Sequence, residues 1–349
     1  MPSENKALWL PKRGAKLTVG PAPYTPPAAG EVVVRVRAVA VNPVDAIPGI
    51  AYRLILPWLT CPAVIGGDVA GEVVEVGESV TRMKPGDRVL GLALGLERSR
   101  NRAAEGAFQH YTVLMAHMVS PIPDDLSFEQ AAVLPLTLAT AATGLFQQDH
   151  LALPLPILDA PDRGETVLVW GGSSCVGSNA IQLARCAGYR VITTASPHNF
   201  DYVRSIGAAA AIDYHSSTAV NELVEALADT PLAGILAATR GSVVPAVAVS
   251  RQASGAKRVA AAQPALINRV QLLRARSRGA SVSAVWGGTL KDNEVGPGIF
   301  VDFLPAALAA KIYQAAPAAV VVGDGLDQIP TAIDRLRKGV SATKLVVRL

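Results

Sequence analysis

The stretch Gly171-Gly172-Ser173-Ser174-Cys175-Val176-Gly177 follows an apolar run, Thr166 to Trp170, and precedes a run with helical spacing, Ser178 to Ala187. A strand that turns through glycines into a helix N-terminus makes an anion site. The first-turn N–H groups lack intrahelical partners, and the helix dipole adds positive potential. A pyrophosphate satisfies both. Gly171, Gly172 and Gly177 permit close backbone approach, and Gly177 stands where helix and strand must pack tightly. The usual pattern has a further glycine near Ser174. The hydroxyls of Ser173 and Ser174 can donate to phosphate oxygens instead, with Cys175 and Val176 completing the loop. An ordinary ligand-free turn is the plainer alternative. The strand before, the helix after and a second apolar run at the right spacing favour a dinucleotide.

That second run, Tyr189 to Ala195, leads into Ser196-Pro197-His198-Asn199. Sites that prefer NAD usually carry Asp or Glu at this strand end, on the ribose 2′-OH. A carboxylate there repels a 2′-phosphate. Its absence, with Ser196, His198 and Asn199 at the strand end and Arg204 and Tyr214 following, favours NADPH over NADH. The alternative is that Ser196 and Pro197 only turn the chain.

These residues need a scaffold. From Thr166 onward strand and helix patterns alternate: extended runs at Ala209 to Asp213, Ala233 to Ala238, Lys257 to Ala261 and Ser281 to Val285, helical runs at Asn199 to Ile206 and Thr218 to Ala228. Such alternation implies a parallel sheet covered on both faces. The first third reads differently. In Glu31 to Val41, Val34, Val36 and Ala38 point one way and Arg35 and Arg37 the other, the period of a half-buried strand. Gly71 to Val76, Asp87 to Leu90 and Phe108 to Leu114 are further strands, with Lys84-Pro85-Gly86-Asp87 a turn. Together they predict a small β-barrel-like domain. Ser127 can N-cap a helix running on to Phe146. Leu151 to Arg163, with three prolines, reads as a loop. Phe300 to Ala310 and Gly325 to Lys338 read as helices, and Ala318 to Gly323 and Lys344 to Leu349 as strands.

Composition narrows the function classes. The 349 residues suffice for two domains; half are apolar and 17% charged, which excludes a disordered chain. The formal charge of +4 comes without a block of like charges, so nucleic acid is not an expected partner. No uninterrupted apolar stretch reaches about twenty residues, so no membrane span is expected. Cys61, Cys175 and Cys186 form no C-x-x-C pair, which argues against a disulfide framework or a cysteine zinc site. No secretory leader is apparent, and a reducing cytoplasmic setting is the expectation.

Taken together, "VNPVD" (41–45), "GGDVAGEVVEVG" (66–77), "KPGDRV" (84–89), "EGAFQHYTV" (105–113), "LPLTLATA" (134–141), the glycine loop, "SPHNFD" (196–201) and "KGVSATKLVVRL" (338–349) resemble the medium-chain dehydrogenase/reductase superfamily. The resemblance is to its zinc-free quinone oxidoreductase and enoyl reductase branch. It is nearest to the trans-acting enoyl reductases that serve fungal polyketide synthases. This implies an α/β chain: a GroES-like β-barrel catalytic domain, residues 1–128 and 301–349, and an inserted Rossmann domain, 129–300, with a doubly wound parallel sheet. It implies NADPH in a cleft between them, and a monomer or homodimer. By position in the motifs, Asn42 would bond near the nicotinamide ribose and Thr140 would lie by the nicotinamide. Ser173, Ser174 and Val176 would meet the pyrophosphate, Ser196 and Tyr214 the 2′-phosphate. The backbone of Val285, Trp286 and Gly287 would flank the nicotinamide amide.

Two departures matter. Alcohol dehydrogenases of the superfamily carry Cys and His-Glu ligands where this chain has Asn42-Pro43-Val44-Asp45 and Gly66-Gly67-Asp68, and its five histidines match no ligand spacing. No metal is expected. Relatives often place a Lys just after the NP-x-D motif, where this chain has Ala46 and Ile47. Some enoyl reductases carry a Tyr nearby, so Tyr52 is a candidate proton donor, or else packs in a loop. Asp45 reads as structural. Without zinc, alcohol oxidation loses its Lewis acid. Reducing a C=C conjugated to a carbonyl needs only hydrogen-bond donors at the developing enolate and a proton source. The expected activity is NADPH-dependent reduction of an enone or enoyl thioester, free or carrier-bound. Quinone reduction, or NADPH binding without catalysis, are the alternatives.

Overall fold

The computed structural model describes residues 4–47, 51–262 and 279–349. The chain divides into two compact units, Met1–Leu136 with Ala318–Leu349, and Thr137–Pro317. In chain order the first strands are β1 (Lys6–Leu10), β2 (Thr18–Pro21), β3 (Glu31–Ala40), β4 (Ala63–Val64), β5 (Asp68–Val76), β6 (Arg88–Leu92), β7 (Tyr111–Met115) and β8 (Val119–Pro121). The second unit holds β9 (Thr166–Trp170), β10 (Arg190–Ala195), β11 (Ala210–Asp213), β12 (Leu232–Ala237), β13 (Arg258–Ala261) and β14 (Ser281–Ala284). The chain then returns to the first unit with β15 (Ala318–Asp324) and β16 (Thr343–Arg348).

The first unit is built on β3. This strand pairs antiparallel with β5, β7 and β16, so residues far apart in sequence converge on it. The expected alternation is only partly seen. Val34, Val36 and Ala38 are buried, but so are Val33 and Val39 on the face that carries Arg35 and Arg37. Val33 packs there with Tyr111 and Val113 of β7, against Tyr24 and Val74. The two arginines turn to Glu72 on the neighbouring strand. The strand is thus nearly two-sided, which strict alternation does not anticipate. Each fully buried Val contributes about 1.5–3 kcal/mol over an exposed one. At Gly71 the sheet closes tightly: a Cβ would stand 2.1 Å from the Arg35 carbonyl oxygen.

The run from Ser127 to Phe146 forms two helices rather than one. Ser127 caps Phe128–Ala131 in a capping box, its Oγ accepting the Gln130 N–H at 3.2 Å while Gln130 Oε1 accepts the Ser127 N–H at 3.1 Å. Pro135 has no N–H to continue that helix and instead opens a second, Pro135–Phe146.

The second unit's sheet is parallel, in the order β11-β10-β9-β12-β13-β14. With β9 as the first strand this is the 3-2-1-4-5-6 order of doubly wound dinucleotide folds. Leu168, Ile192 and Ile235 of the sheet pack with Leu223, Leu227 and Val249 of its helices. The proline-rich stretch after Leu151 carries no regular element up to β9. Phe300 to Ala310, expected as one helix, begins as a π-helical turn over Gly298–Phe303 and continues as an α-helix over Leu304–Ala309. Among the described residues no helix is long and apolar enough to cross a membrane.

Gly71→Ala sets a methyl group against a carbonyl that cannot yield without moving β3. Urea unfolding should show a loss of about 2 kcal/mol or more; an unchanged midpoint would refute this packing.

Candidate functional site

The C-terminal ends of parallel strands lie along one edge of their sheet, and there the second unit gathers its candidate residues. β9 ends at Trp170, and Gly171 turns the chain with φ +92°. Ser174 has extended backbone angles and caps the Cys175–Cys186 helix. Its Oγ accepts the Gly177 N–H at 3.0 Å and donates to the Gly171 carbonyl at 2.8 Å. The helix therefore starts three residues before the apolar period becomes readable at Ser178, because the cap sets its origin. Cys175, Val176 and Gly177 are its first turn, where N–H groups lack intrahelical acceptors. A Cβ on Gly177 would stand 2.1 Å from the Gly171 carbonyl oxygen, and one on Gly172 at 2.1 Å from the Thr193 hydroxyl. A Cβ on Gly171 would meet the Thr239 methyl, beyond β12, at 2.4 Å. The loop thus sits where β10 and β12 leave β9 on opposite sides, the switch point at which such sheets bind ligands.

Along the same edge, the Ser196 Oγ lies 3.3 Å from the Tyr214 hydroxyl. His198 is exposed and Asn199 buried. Arg204, on the Phe200–Ser205 helix, lies 3.7 Å from Asp201 and over the Phe200 ring. A carboxylate does stand nearby: Asp213 ends β11 in register with Ala195. Attention to the end of β10 alone missed it. Its Oδ1 accepts the His215 N–H at 3.0 Å and faces His215 Nδ1 at 2.9 Å. The His215 N–H, then the imidazole, hold Asp213 below the ordinary carboxylate range. The His215 ring stacks on Tyr214 with centroids 4.0 Å apart. Asp213 is thereby turned into its own loop.

A third group forms between the Pro135–Phe146 helix and the segment after β14. A Cβ on Gly287 would stand 2.5 Å from the Thr140 Oγ1, so Thr140 and the Val285-Trp286-Gly287 backbone are immediate neighbours. Thr143 and Gln147 lie one and two turns further along. The Thr143 Oγ1 and Gln147 Nε2 are buried without hydrogen-bond partners, while Gln147 Oε1 lies 3.1 Å from the Thr289 hydroxyl. Unsatisfied buried polar atoms ask for a ligand or water. Neither residue was singled out from sequence; Thr140, Thr143 and Gln147 share one helical face, a signal that was available.

In the first unit, Asn42 is fully buried at the centre of a polar network. Its Nδ2 donates to Asp68 Oδ2 at 2.7 Å, its Oδ1 accepts from the Lys344 ammonium, and its N–H donates to Asp45 Oδ2 at 2.8 Å. Lys344 Nζ lies 2.9 Å from Asp68 Oδ2, and Asp68 Oδ1 accepts the Leu136 N–H at 2.6 Å. Asp68 and Lys344 were legible only as parts of motifs. A lysine in the otherwise apolar run that forms β16, on the same side as Val346, was the available signal. Burial pushes Asp45 up to about 7, with Asp68's charge adding and the Asn42 N–H and Lys344 opposing; its Oδ1 has no hydrogen-bond partner. Tyr52 opens the short Tyr52–Ile55 helix and is buried. Its hydroxyl is raised to about 12 by burial first and then by Asp45. It therefore stays protonated across the working range.

These residues do not fit a zinc ion. Zinc sites take about four N, S or O ligands, three of them protein groups even when catalytic. Here Asn42 offers an amide, Gly66 and Gly67 offer no side chain, and both Asp68 oxygens are engaged. Among the described residues no group of three or more His, Cys, Asp or Glu is placed to hold a metal.

Two predictions follow from this geometry. Gly177→Ala should abolish measurable dinucleotide binding in calorimetry while the fold survives in circular dichroism; retained affinity would overturn the cradle. Asp45 holds a proton more readily in the fold than the ordinary aspartate value of 3.8 allows, so it erodes stability as pH climbs from about 4 to about 7 and adds nothing further above that. Asp45→Asn should flatten that fall in urea unfolding, by at most a few kcal/mol, and parallel pH profiles would contradict it.

Residues 28–124 match the alcohol dehydrogenase GroES-like domain. The chain is 45% identical over 366 residues to the dehydrogenase pigH of Monascus ruber, covering 99% of each. It is 35% identical over 350 residues to the trans-enoyl reductase himH of Aspergillus japonicus, covering 99% of this chain and 97% of that one. In fold it is similar to the CurK enoyl reductase, with a TM-score of 0.76 at 21% identity over 99% of both chains. The quinone oxidoreductase of Coxiella burnetii superposes with a TM-score of 0.72 at 23% identity, over 99% of this chain and 100% of that one. The sheet order, the capped glycine loop and this full-length identity converge: the chain belongs to the medium-chain dehydrogenase/reductase superfamily, beside fungal dehydrogenases and trans-enoyl reductases, and is an oxidoreductase.

Proposed function

We propose that the chain reduces a C=C bond conjugated to a carbonyl, using NADPH and no zinc. The observation that carries this reading is the buried Asn42–Asp68–Lys344 cluster. Where the superfamily's alcohol dehydrogenases present metal ligands, this chain presents an ion pair and an amide. The cluster fills the place of the metal that would ionise an alcohol, whereas reduction of a conjugated C=C needs no Lewis acid.

The Gly171–Gly177 loop and the first helical turn would hold the pyrophosphate: Gly171, Gly172 and Gly177 by letting the loop pack closely on Thr239, Thr193 and its own backbone, Ser173, Cys175 and Val176 through backbone or side chain. The Ser174 hydroxyl is engaged as the cap, so it would act by shaping the loop. Ser196 and Tyr214, with His198 and Asn199 beside them, would receive the 2′-phosphate. Asp213, on the neighbouring strand, is the one charge there that opposes a phosphate, and its Oδ1 is bonded to His215. Thr140 and the Val285–Gly287 backbone would orient the nicotinamide, and Asn42 would bond its ribose. When bound, NADPH supplies a hydride to the β-carbon. The chain's task is to place the substrate, exclude water and deliver a proton to the α-carbon. Tyr52 is the proposed donor; its hydroxyl is protonated and lies near Asp45.

The substrate class follows the named relatives, among them trans-enoyl reductases. An acyl thioester carried by a polyketide synthase is the proposed natural form, with a small enone as its surrogate. NADPH oxidation should proceed with enones and enoyl thioesters and be slow with quinones. Faster turnover of quinones would reassign the activity, and tight NADPH binding without turnover on any of them would leave a binding protein. Ser196→Asp should lower NADPH affinity at least about tenfold while sparing NADH; unchanged NADPH affinity would remove Ser196 from the 2′-phosphate site.

A further inference from the structure

We propose that Ser178, backed by Tyr202, is a positioning residue for the coenzyme: it holds the Gly172–Ser173 peptide so that the Ser173 N–H faces the pyrophosphate. The inference deepens the reading that the glycine loop holds a pyrophosphate, and rests on it.

A peptide that faces an anion must present its N–H and turn its carbonyl away. A trans peptide is planar, with C=O and N–H pointing in opposite directions, so fixing one aims the other. The Trp170–Gly171 peptide is held at both ends. Its carbonyl accepts the Ala238 N–H at 3.0 Å and its N–H donates to the Thr194 hydroxyl at 2.9 Å. The Gly171–Gly172 peptide is held likewise, its carbonyl accepting the Ser174 N–H at 3.1 Å and its N–H donating to the Thr194 carbonyl at 2.9 Å. Both N–H groups are thus spent inside the sheet edge. The next peptide differs. The Gly172 carbonyl accepts from the Ser178 Oγ at 3.1 Å. Ser178 is fully buried on the Cys175–Cys186 helix, so this carbonyl is drawn inward. The Ser173 N–H then points the other way, at a residue that is only half-buried.

The Ser178 hydroxyl has one hydrogen to give. The Gly172 carbonyl and the Ser174 carbonyl, at 2.9 Å, can only accept it, and the Ser174 oxygen already holds the Ser178 N–H at 2.8 Å. The Tyr202 hydroxyl, 2.8 Å from the Ser178 Oγ, is then the donor of the bond the two hydroxyls share. Burial pushes the Tyr202 hydroxyl up to about 12, so it keeps that hydrogen. A chain of donors therefore runs from the Phe200–Ser205 helix through Ser178 into the loop. Without the Ser178 Oγ the Gly172 carbonyl loses this anchor, and Gly172 has no Cβ to resist rotation of the peptide. A reversed peptide sets an oxygen against the phosphate. Neither Ser178 nor Tyr202 needs to touch the coenzyme for its loss to be felt there.

Three ligands test this in the full-length chain, with thermal melts confirming that each variant folds. NADPH and NADH share the pyrophosphate, and adenosine 2′-monophosphate lacks it. Ser178→Ala should weaken both dinucleotides by the same factor, about five- to tenfold, and leave adenosine 2′-monophosphate unchanged. Tyr202→Phe should weaken both about threefold. The double variant should be no weaker than Ser178→Ala alone, because both changes break one chain. An equal loss of adenosine 2′-monophosphate would show that Ser178 only supports the structure, and overturn the proposal. So would a Ser178→Ala chain that binds both dinucleotides like the wild type, or one that loses NADPH alone. Factors that multiply in the double variant would cut Tyr202 from the chain and overturn it as stated. If Ser178→Ala fails to fold, Tyr202→Phe runs the same three-ligand comparison with the same outcomes. A wild-type chain that binds neither dinucleotide would instead remove the pyrophosphate from the loop, and the proposal with it.

Discussion

The first unit is organised around a buried ion pair, Lys344 with Asp68. Lys344 comes from β16, Asp68 from the start of β5, and the Asn42 amide that bonds both from the turn after β3. Removing either charge would leave the other stranded away from water, at a cost of about 3–5 kcal/mol. Replacing the pair with apolar residues of similar volume is often neutral or stabilising, so a buried pair is not retained for stability alone. Its value here is directional. A cation at the oxygen end of one amide and an anion at its nitrogen end favour a single pose of that amide, which an apolar core cannot achieve.

The second unit solves its own placement problem differently. It uses backbone rather than charge. The Ser174 hydroxyl links the Gly171 carbonyl to the Gly177 N–H, so strand end and helix start are tied by one side chain. Gly177 then rests on Gly171 with no room for a methyl group. The result is a loop whose backbone is fixed at both ends by one hydroxyl. Further along the sheet edge the groups are hydroxyls, an imidazole and a carboxylate on adjacent strands, less buried and more open to change.

Local chemistry was legible in the sequence wherever it depended on neighbours a few residues away. The glycine loop, the Ser127 capping box and the alternation of strands and helices from Thr166 all belong to this kind. The break at Pro135 was also readable, although the apolar run on either side masked it. What the sequence concealed was pairing across distance. Asp213 became relevant only once β11 lay beside β10 with Asp213 opposite Ala195. Lys344 looked like an ordinary charge on a final strand until β16 paired with β3. Val33 and Val39 share the face of Arg35 and Arg37 and are buried all the same, since one strand's period says nothing of what covers its other face.

The ion pair joins residues on either side of the whole Thr137–Pro317 unit, and the amide contact spans 302 positions of sequence. Closing so large a loop is slow compared with forming local turns, and nothing rewards it until the far segment exists. On the ribosome, β3 and β5 emerge long before their cation does. Until residue 344 is synthesised, Asp68 lacks the Lys344 ammonium, and the nascent first unit is an acid-bearing sheet waiting for β16. Synthesis order thus leaves the Rossmann-type unit free to form first, while the partner that completes the other unit arrives only after it.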